Sequence, residues 1–336
     1  MDFSRENIFG RVGSMRQLAA IRRSVLDDGR GRGMRIIDVG NGSGLNFTVY
    51  PDRGMDIGEA SYKGMPVAWL TPSCATPESY EPEQFSWLRS WGGGLLTGCG
   101  FLNVGGPCEA GELHGLHGRL SHLKAADVNT ESEWNETGEY ELSVSGKVTH
   151  SRVFGEHLRM TRRISVKMGV NRIVIADTVE NLGYRSTPFM QLYHMNFSWP
   201  LVDESCRLRA PEHPVTPQNE VAAAGLAEWD RLSAPTPGFV EQVFYHDLPT
   251  DASGMAEMTL ENPTLRLALR IRYSKDTLPQ FMEWKQMGQG EYVLGLEPGN
   301  CVPEGRCRNE EKGLLRHLEP GEAVRHRVEV SFEELG

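Results

Sequence analysis

Residues 158–166 read Leu-Arg-Met-Thr-Arg-Arg-Ile-Ser-Val, and residues 172–181 read Arg-Ile-Val-Ile-Ala-Asp-Thr-Val-Glu-Asn. Apolar and polar side chains alternate in both stretches, as they also do over residues 141–148. Successive side chains of a strand point to opposite faces, so this alternation is typical of antiparallel strands with one face in a core. Three such segments in succession predict an antiparallel sheet.

The strand pattern continues on both sides of this region. Residues 35–39 and 46–50 flank an Asn-Gly-Ser-Gly turn and predict a β-hairpin. A Pro-rich connection at 203–238 is predicted to hold a short helix over 220–227. Later strands are predicted at 239–246, 255–261, 264–273, 279–284, 291–297 and 324–333. We therefore expect an all-β fold, a large antiparallel sandwich.

The N-terminal region differs from this pattern. Met15, Leu18, Ile21 and Leu26 recur at near-helical spacing, which predicts a short amphipathic helix over residues 14–29. We expect two parts: an N-terminal helical segment over 1–33 and a β-sandwich domain over 34–336.

Composition excludes several functional classes. The net charge of −10 argues against nucleic acid or an anionic membrane as partner. No apolar run is long enough to span a membrane, and the first residues lack the apolar core of a signal peptide. The six cysteines form no C-x-x-C pair, so free thiols in a reducing cytoplasm are expected. The sequence predicts no oligomeric state.

Three segments carry side chains suited to acid–base chemistry. Residues 113–119 hold His114 and His117 in a Gly-rich turn, residues 191–197 hold His194 in an aromatic strand, and residues 290–300 carry Glu297. The Pro-Gly pair that follows Glu297 predicts that this carboxylate lies at a strand end. Two imidazoles and a carboxylate can together form a general acid–base site.

Taken in order, these segments resemble the galactose mutarotase-like superfamily, the aldose 1-epimerases. They look closest to a branch catalogued as a domain of unknown function, over roughly residue 34 to the end. The matching motifs are Leu116-His117-Gly118, Tyr193-His194-Met195-Asn196-Phe197 and Leu296-Glu297-Pro298. The resemblance implies a large antiparallel β-supersandwich with a sugar cleft on one concave face.

The chemistry that the resemblance implies is interconversion of α and β anomers of a small-molecule sugar, without a cofactor or metal. Glu297 would be the general base on the anomeric hydroxyl, and His194 the general acid on the ring oxygen. His117 would assist through a hydrogen bond to the ring oxygen or to a neighbouring hydroxyl. Hydrogen-bond reach places the carboxylate and the imidazole within about 5–8 Å of each other.

The sequence departs from the family at one point. Residues 98–103, Gly-Cys-Gly-Phe-Leu-Asn, lack the arginine usual for the family, and Arg53 or Arg119 could replace it. Aromatic faces and planar polar groups grip sugars. The remaining candidates for substrate binding are Asn103, Gln191, Asn196, Asn300, Trp91 and Trp284.

Two other functional classes fit the same residues. His114, His117, His194 and Glu297 could bind a divalent metal in a sugar isomerase or epimerase. A carbohydrate-binding protein without catalysis would keep the cleft alone. No Lys/Arg cluster marks a phosphate pocket near the predicted site, which favours an unphosphorylated sugar.

Overall fold

The computed structural model describes residues 2–78 and 83–336, and these residues fold mainly into antiparallel strands. Strands make up about 48% of the chain and helices about 9%, which confirms the all-β prediction. The first eleven strands are β1 (Ala20–Val25), β2 (Arg35–Gly40), β3 (Leu45–Tyr50), β4 (Asp56–Tyr62), β5 (Met65–Pro66), β6 (Leu96–Phe101), β7 (Cys108–Glu109), β8 (Leu113–His114), β9 (Ala126–Trp134), β10 (Tyr140–Ser151) and β11 (His157–Lys167).

The remaining strands follow in the second half of the chain. They are β12 (Arg172–Asn181), β13 (Thr187–Ser198), β14 (Arg207–Arg209), β15 (Val215–Pro217), β16 (Gln242–His246), β17 (Met255–Asn262), β18 (Leu267–Ser274), β19 (Gln280–Gly288), β20 (Glu291–Gly299), β21 (Arg316–Leu318) and β22 (Ala323–Glu334). The helices α1 (Arg5–Phe9), α2 (Glu220–Gly225) and α3 (Arg306–Glu311) are short. In the part of the chain so described, no helix is long and apolar enough to cross a membrane.

The helix predicted over residues 14–29 is wrong, although a short N-terminal helix does exist as α1. Residues 15–17 form a single 3₁₀ turn, and β1 then pairs antiparallel with β2 from Ala20↔Gly40 to Val25↔Arg35. The edge of β2 offers backbone partners to the segment, and tertiary pairing overrides the helical spacing of its apolar residues. The domain boundary after residue 33 stays a prediction.

Two sheets pack face to face around the main core. The large sheet has the order β1-β2-β3-β4-β6-β13-β20-β19-β16-β15. In addition, β5 pairs with β4, and β21 pairs with β13. The second sheet has the order β14-β17-β18-β22-β12-β11-β10-β9. Strand β12 alternates buried and half-exposed residues, as predicted for a strand with one face in the core.

Strand β13 is central in the large sheet and is buried on both faces. Phe189, Tyr193 and Phe197 belong to the core between the sheets. Met190 and Leu192 point to the opposite side, where they join a second apolar cluster. We call this side the outer face of the large sheet. His194 has the same parity as Met190 and Leu192, so it lies on the outer face.

Glu297 is not at the end of its strand, so that prediction is wrong. Strand β20 continues through Pro298 to Gly299 between β13 and β19. On the β19 side the register is continuous and pairs Glu297 with Met282. On the β13 side it passes from Leu296↔Met195 directly to Gly299↔Leu192, because proline has no N–H to donate to the ladder. The proline interrupts one ladder without ending the strand.

Candidate active site

His194 of β13 and Glu297 of β20 face each other on the outer face of the large sheet. The Nδ1 atom of His194 lies 3.2 Å from Oε1 of Glu297. Their exposed fractions are only 5% and 2%. Despite the short distance, neither atom makes a well-oriented hydrogen bond to any described residue. The two polar atoms are therefore adjacent, buried and open to a further partner.

This separation is shorter than the 5–8 Å expected from the sequence. The expectation placed the two groups on opposite sides of a sugar ring. The anomeric hydroxyl and the ring oxygen are, however, bonded to the same carbon, so an adjacent acid–base pair can reach both.

Gly295 creates the space for the Glu297 carboxylate. It lies two residues before Glu297 on the same side of β20. A Cβ atom at position 295 would lie 2.4 Å from Oε1 of Glu297 and 3.1 Å from Cβ of Trp284. Any side chain here would displace the carboxylate from His194.

His117 approaches the pair from the loop that follows β8. Its backbone is left-handed, with φ of 56°, and Gly118 follows with φ of 69°. The loop is pinned to the end of β6, since Gly100 N–H donates to the His117 carbonyl at 2.9 Å. The His117 ring is edge-on to His194, with centroids 5.5 Å apart. Its Nδ1 accepts a 3.3 Å hydrogen bond from Gly105 N–H, so in the neutral ring Nε2 carries the proton.

Tryptophan side chains surround the His194 ring. Trp91 and Trp284 lie with ring centroids 5.1 Å and 5.3 Å from it. Trp87 contacts the His117 ring at 4.7 Å. Trp69 contacts Trp91 at 5.0 Å and Trp284 at 6.3 Å. Trp69 and Trp284 are only partly buried, so they can present aromatic faces to a ligand.

The apolar surroundings disfavour charge on all three candidate groups. Burial raises the pKa of Glu297 well above its usual value, and the nearby Glu241 adds to the effect. Burial lowers the pKa of His194 well below its usual value, and His117 contributes in the same direction. Burial also lowers the pKa of His117 to about 4. Burial therefore favours the neutral state of the site, a protonated carboxyl next to neutral imidazoles.

The predicted polar ligands of the sugar do not all lie near this pair. Gln191 points to the core, where Nε2 donates to Asp177 at 3.1 Å. The Asn300 side chain bonds the backbone of Gln191 and Phe189. Asn103 donates to the Gly115 carbonyl at 2.8 Å and thereby holds the His117 loop. These three side chains therefore form hydrogen bonds within the fold.

Asn196 and Trp284 lie closer to the His194–Glu297 pair. Asn196 Nδ2 donates to the carbonyls of Gly94 and His194, whereas its buried Oδ1 has no partner among the described residues. Trp284 Nε1 donates to the exposed Glu241 at 2.7 Å. Both lie on the outer face beside His194, as does Trp91.

The two candidate arginines each contact other residues of the protein. Arg53 is 4% exposed, and its Nη2 donates to the Ser90 carbonyl at 3.1 Å. Arg119 lies 3.9 Å from Glu112. The role of both arginines in substrate binding stays a prediction.

His114 is also separate from the pair. Its Nε2 accepts from Nη1 of Arg306 at 3.1 Å, so its lone pair is directed at a cation. Across residues 2–78 and 83–336, no group of three or more His, Cys, Asp or Glu side chains has metal-binding geometry. The four-ligand arrangement considered for an isomerase is therefore not assembled.

Two outer-face residues were missed from the sequence. Trp69 stands in a short apolar stretch where a core position was the simpler interpretation. Tyr245 of β16 packs against the same cluster and donates to Glu304 at 2.7 Å. Neither lies in a motif, so no sequence signal identifies them without knowledge of the strand order.

A groove of about 780 Å³ lies elsewhere on the large sheet, over β2, β3 and β4. Its lining includes Asp38, Asn46 and Glu59 but no histidine. We assign the candidate site to His194 and Glu297 because acid–base groups meet there.

The fold is similar to solved structures of sugar epimerase-like proteins. A proposed aldose 1-epimerase from Klebsiella pneumoniae is 24% identical with a TM-score of 0.85, over 95% of this chain and 86% of that one. A galactose mutarotase-like protein from Clostridium acetobutylicum is 12% identical with a TM-score of 0.65, over 95% and 100%. A galactose 1-epimerase from Lactobacillus acidophilus is 14% identical with a TM-score of 0.61, over 95% and 100%.

At these identities the structural likeness establishes the fold. No protein of curated function matches the sequence. Residues 31–332 match a sequence family over most of the chain. The chain belongs to the family described as a domain of unknown function, DUF4432.

Proposed function

We propose that this protein is an aldose 1-epimerase that interconverts the anomers of an unphosphorylated sugar by general acid–base catalysis. The observation that carries the proposal is the buried His194–Glu297 pair, in which two unpartnered polar atoms lie 3.2 Å apart. An unpaired buried acid and base cost stability, so their presence beside partly exposed tryptophans is typical of a functional site.

The reaction needs one proton removed from the anomeric hydroxyl and one delivered to the ring oxygen. With the neutral pair, the Glu297 carboxyl donates its proton to the ring oxygen while the bond from that oxygen to C1 breaks. His194 accepts the proton of the anomeric hydroxyl, whose oxygen becomes the aldehyde oxygen. After rotation about the C1–C2 bond, both protons return and the ring closes on the other face. All atoms and protons balance without a further reactant.

This assignment reverses the roles that the resemblance implies for the first step. The burial that raises the pKa of Glu297 and lowers the pKa of His194 favours the carboxyl as the initial proton donor. The opposite protonation, a carboxylate beside an imidazolium, is the state that forms after ring opening. His117 carries a proton on Nε2 and would donate a hydrogen bond to a sugar oxygen.

The side chains around the pair support a neutral substrate. The rings that contact His194 and His117 are aromatic, and the carboxylate of Glu241 acts electrostatically on Glu297. An acidic, aromatic surrounding suits hydroxyl groups and a sugar's C–H face. It would repel a phosphate group.

The test is anomer exchange measured by NMR saturation transfer on a panel of free aldoses. The wild type is compared with Glu297→Gln, which keeps the shape and removes the transferable proton. We expect exchange to slow by about 10²–10⁴-fold in this variant. Glu283→Gln is the matched control, because Glu283 is a buried carboxylate of β19 that binds His246 and not the candidate site.

Three outcomes would contradict the proposal in different ways. Sugar binding without anomer exchange in the wild type would indicate a carbohydrate-binding protein. A stoichiometric metal that is lost from Glu297→Gln would favour a metal-dependent isomerase. Unchanged exchange in Glu297→Gln would mean that the reaction uses other residues.

A further inference from the structure

A second pocket, whose lining does not include the His194–Glu297 pair, contains three arginines. It has a volume of about 240 Å³ and lies between the loop after β7, the β10–β11 turn and the start of β13. Arg152, Arg185 and Arg306 line it together with Glu112 and Glu156. Neither His194, Glu297 nor any of the four tryptophans contributes to it. We call it the arginine pocket.

The two carboxylates of the arginine pocket are already engaged. Glu156 bonds His150 at 3.1 Å and Arg152 at 3.3 Å. The hydrogen bond from His150 and the charge of Arg152 lower the pKa of Glu156 to about 2. Glu112 lies 3.2 Å from Arg152 and 3.9 Å from Arg119. Both negative charges are therefore neutralised without Arg306 or Arg185.

Arg306 and Arg185 have no carboxylate within 4.0 Å in the described part of the chain. Nη1 of Arg306 donates to the neutral His114, and its Nε is buried without a partner in the described residues. Burial, followed by the charge of Arg306, lowers the pKa of His114. The Arg185 guanidinium lies over the ring of Tyr184, 5.1 Å from the ring centroid. Two cationic side chains of one pocket thus lack a described carboxylate at salt-bridge distance, in a chain with net charge −10.

A guanidinium that is partly buried without an anion is unfavourable, and its planar donors match the oxygens of phosphate, sulfate or carboxylate. We propose that the arginine pocket binds a small oxyanion through Arg306 and Arg185. The anion could arrive free or as the acidic group of a phosphorylated metabolite. The proposal does not rest on the epimerase activity, since the two sites share no lining residue.

The test is calorimetric titration of the full chain with inorganic phosphate, then with sulfate, in a low-salt buffer that contains neither ion. We expect one saturable site. Arg306→Gln should weaken phosphate binding by about 10-fold or more, since it removes a charge-assisted hydrogen bond. Arg308→Gln is the matched control on α3, because Arg308 is 67% exposed and pairs with Glu311. Its affinity for phosphate should equal that of the wild type.

Arg185→Gln provides the second variant, because Arg185 is exposed and its replacement does not disturb the core. Arg185→Gln should also weaken phosphate binding. If Arg306→Gln does not fold, Arg185→Gln alone tests the proposal. Titration with glucose 6-phosphate separates the free anion from a phosphorylated metabolite as the ligand. If glucose 6-phosphate binds more tightly than inorganic phosphate and the arginine variants lose this binding, the ligand is a phosphorylated metabolite. If both bind equally, the ligand is the free ion. Absence of saturable binding of both phosphate and sulfate would overturn the proposal. Wild-type affinity in the folded arginine variants would do the same.

Discussion

Nδ1 of His194 and Oε1 of Glu297 lie 3.2 Å apart on neighbouring strands, yet they form no well-oriented hydrogen bond with each other. Both side chains are at most 5% exposed. An ion pair in this position would be stabilised by a direct hydrogen bond, whereas a neutral acid beside a neutral base leaves a proton available for transfer. The relationship makes the protonation state of the pair the property that most directly controls the proposed reaction.

His194→Asn should slow anomer exchange by about 10²–10⁴-fold, as expected when a positioned proton acceptor is lost. The substitution keeps a polar group of similar reach and removes the titratable ring. NMR saturation transfer measures the rate. His326→Asn is the matched control, because His326 is 2% exposed and packs against Phe189 on the core side of the sheet. Equal losses in both variants would indicate a general packing effect.

The pH profile of kcat/KM should lack the acidic limb near pH 6.5 that an ordinary histidine base produces. The active pair holds one transferable proton. Because the pKa of Glu297 is raised, its carboxyl keeps that proton at pH values above the ordinary carboxyl pKa. Activity should therefore fall only on the high-pH limb of the profile. Because the pKa of His194 is lowered, the imidazole remains neutral well below pH 6.5. An acidic limb centred near pH 6.5, in anomer-exchange rates measured over a series of pH values, would contradict this protonation state.

The same burial predicts how Glu297→Gln changes stability with pH. Below the usual carboxyl pKa of 4.5, Glu297 is protonated in both the folded and the unfolded chain, and it contributes no pH dependence. As pH rises, the unfolded chain ionises first, so wild-type stability falls until the raised folded pKa is reached. Glutamine never ionises. The Tm of Glu297→Gln relative to wild type should therefore increase as the pH rises above about 4.5.

Differential scanning fluorimetry across this pH range measures the effect. Glu291→Gln is the control, because Glu291 is an exposed carboxylate at the start of the same strand. It should show no such increase. A Tm difference for Glu297→Gln that is constant or declines with pH would mean that Glu297 is ionised in the folded protein.

The sequence predicted the strands best where alternation is regular, because period-two burial is a local property of each strand. Strands β10 to β12 lie close to the predicted segments. It failed where tertiary pairing decides, as in β1, and where one proline interrupts only one of two ladders, as at Pro298. His117, His194 and Glu297 could be named from motifs. Their mutual distance could not, since it depends on β13 and β20 being neighbours across about 100 residues of chain.

The sequence also did not show which face of the sheet each polar candidate occupies. Gln191 and His194 are three residues apart in one strand, so they point to opposite faces. Gln191 therefore serves the buried Asp177, and His194 faces the site. A sequence motif records neither which face of the sheet is covered nor which side chains the fold has already used.

Gly295→Ala tests whether the position of the carboxylate matters apart from its identity. The new methyl group would lie 2.4 Å from Oε1 of Glu297 and would push the carboxyl away from His194. A displacement of about 1 Å can reduce a rate about 10²-fold, so we expect a large loss of anomer exchange with Glu297 still present. Gly13→Ala is the control, because a Cβ at Gly13 meets nothing within 4 Å. The crystal structure of Gly295→Ala and its exchange rate should change together: a displaced carboxyl with a wild-type rate would show that the His194–Glu297 geometry is not what the reaction requires.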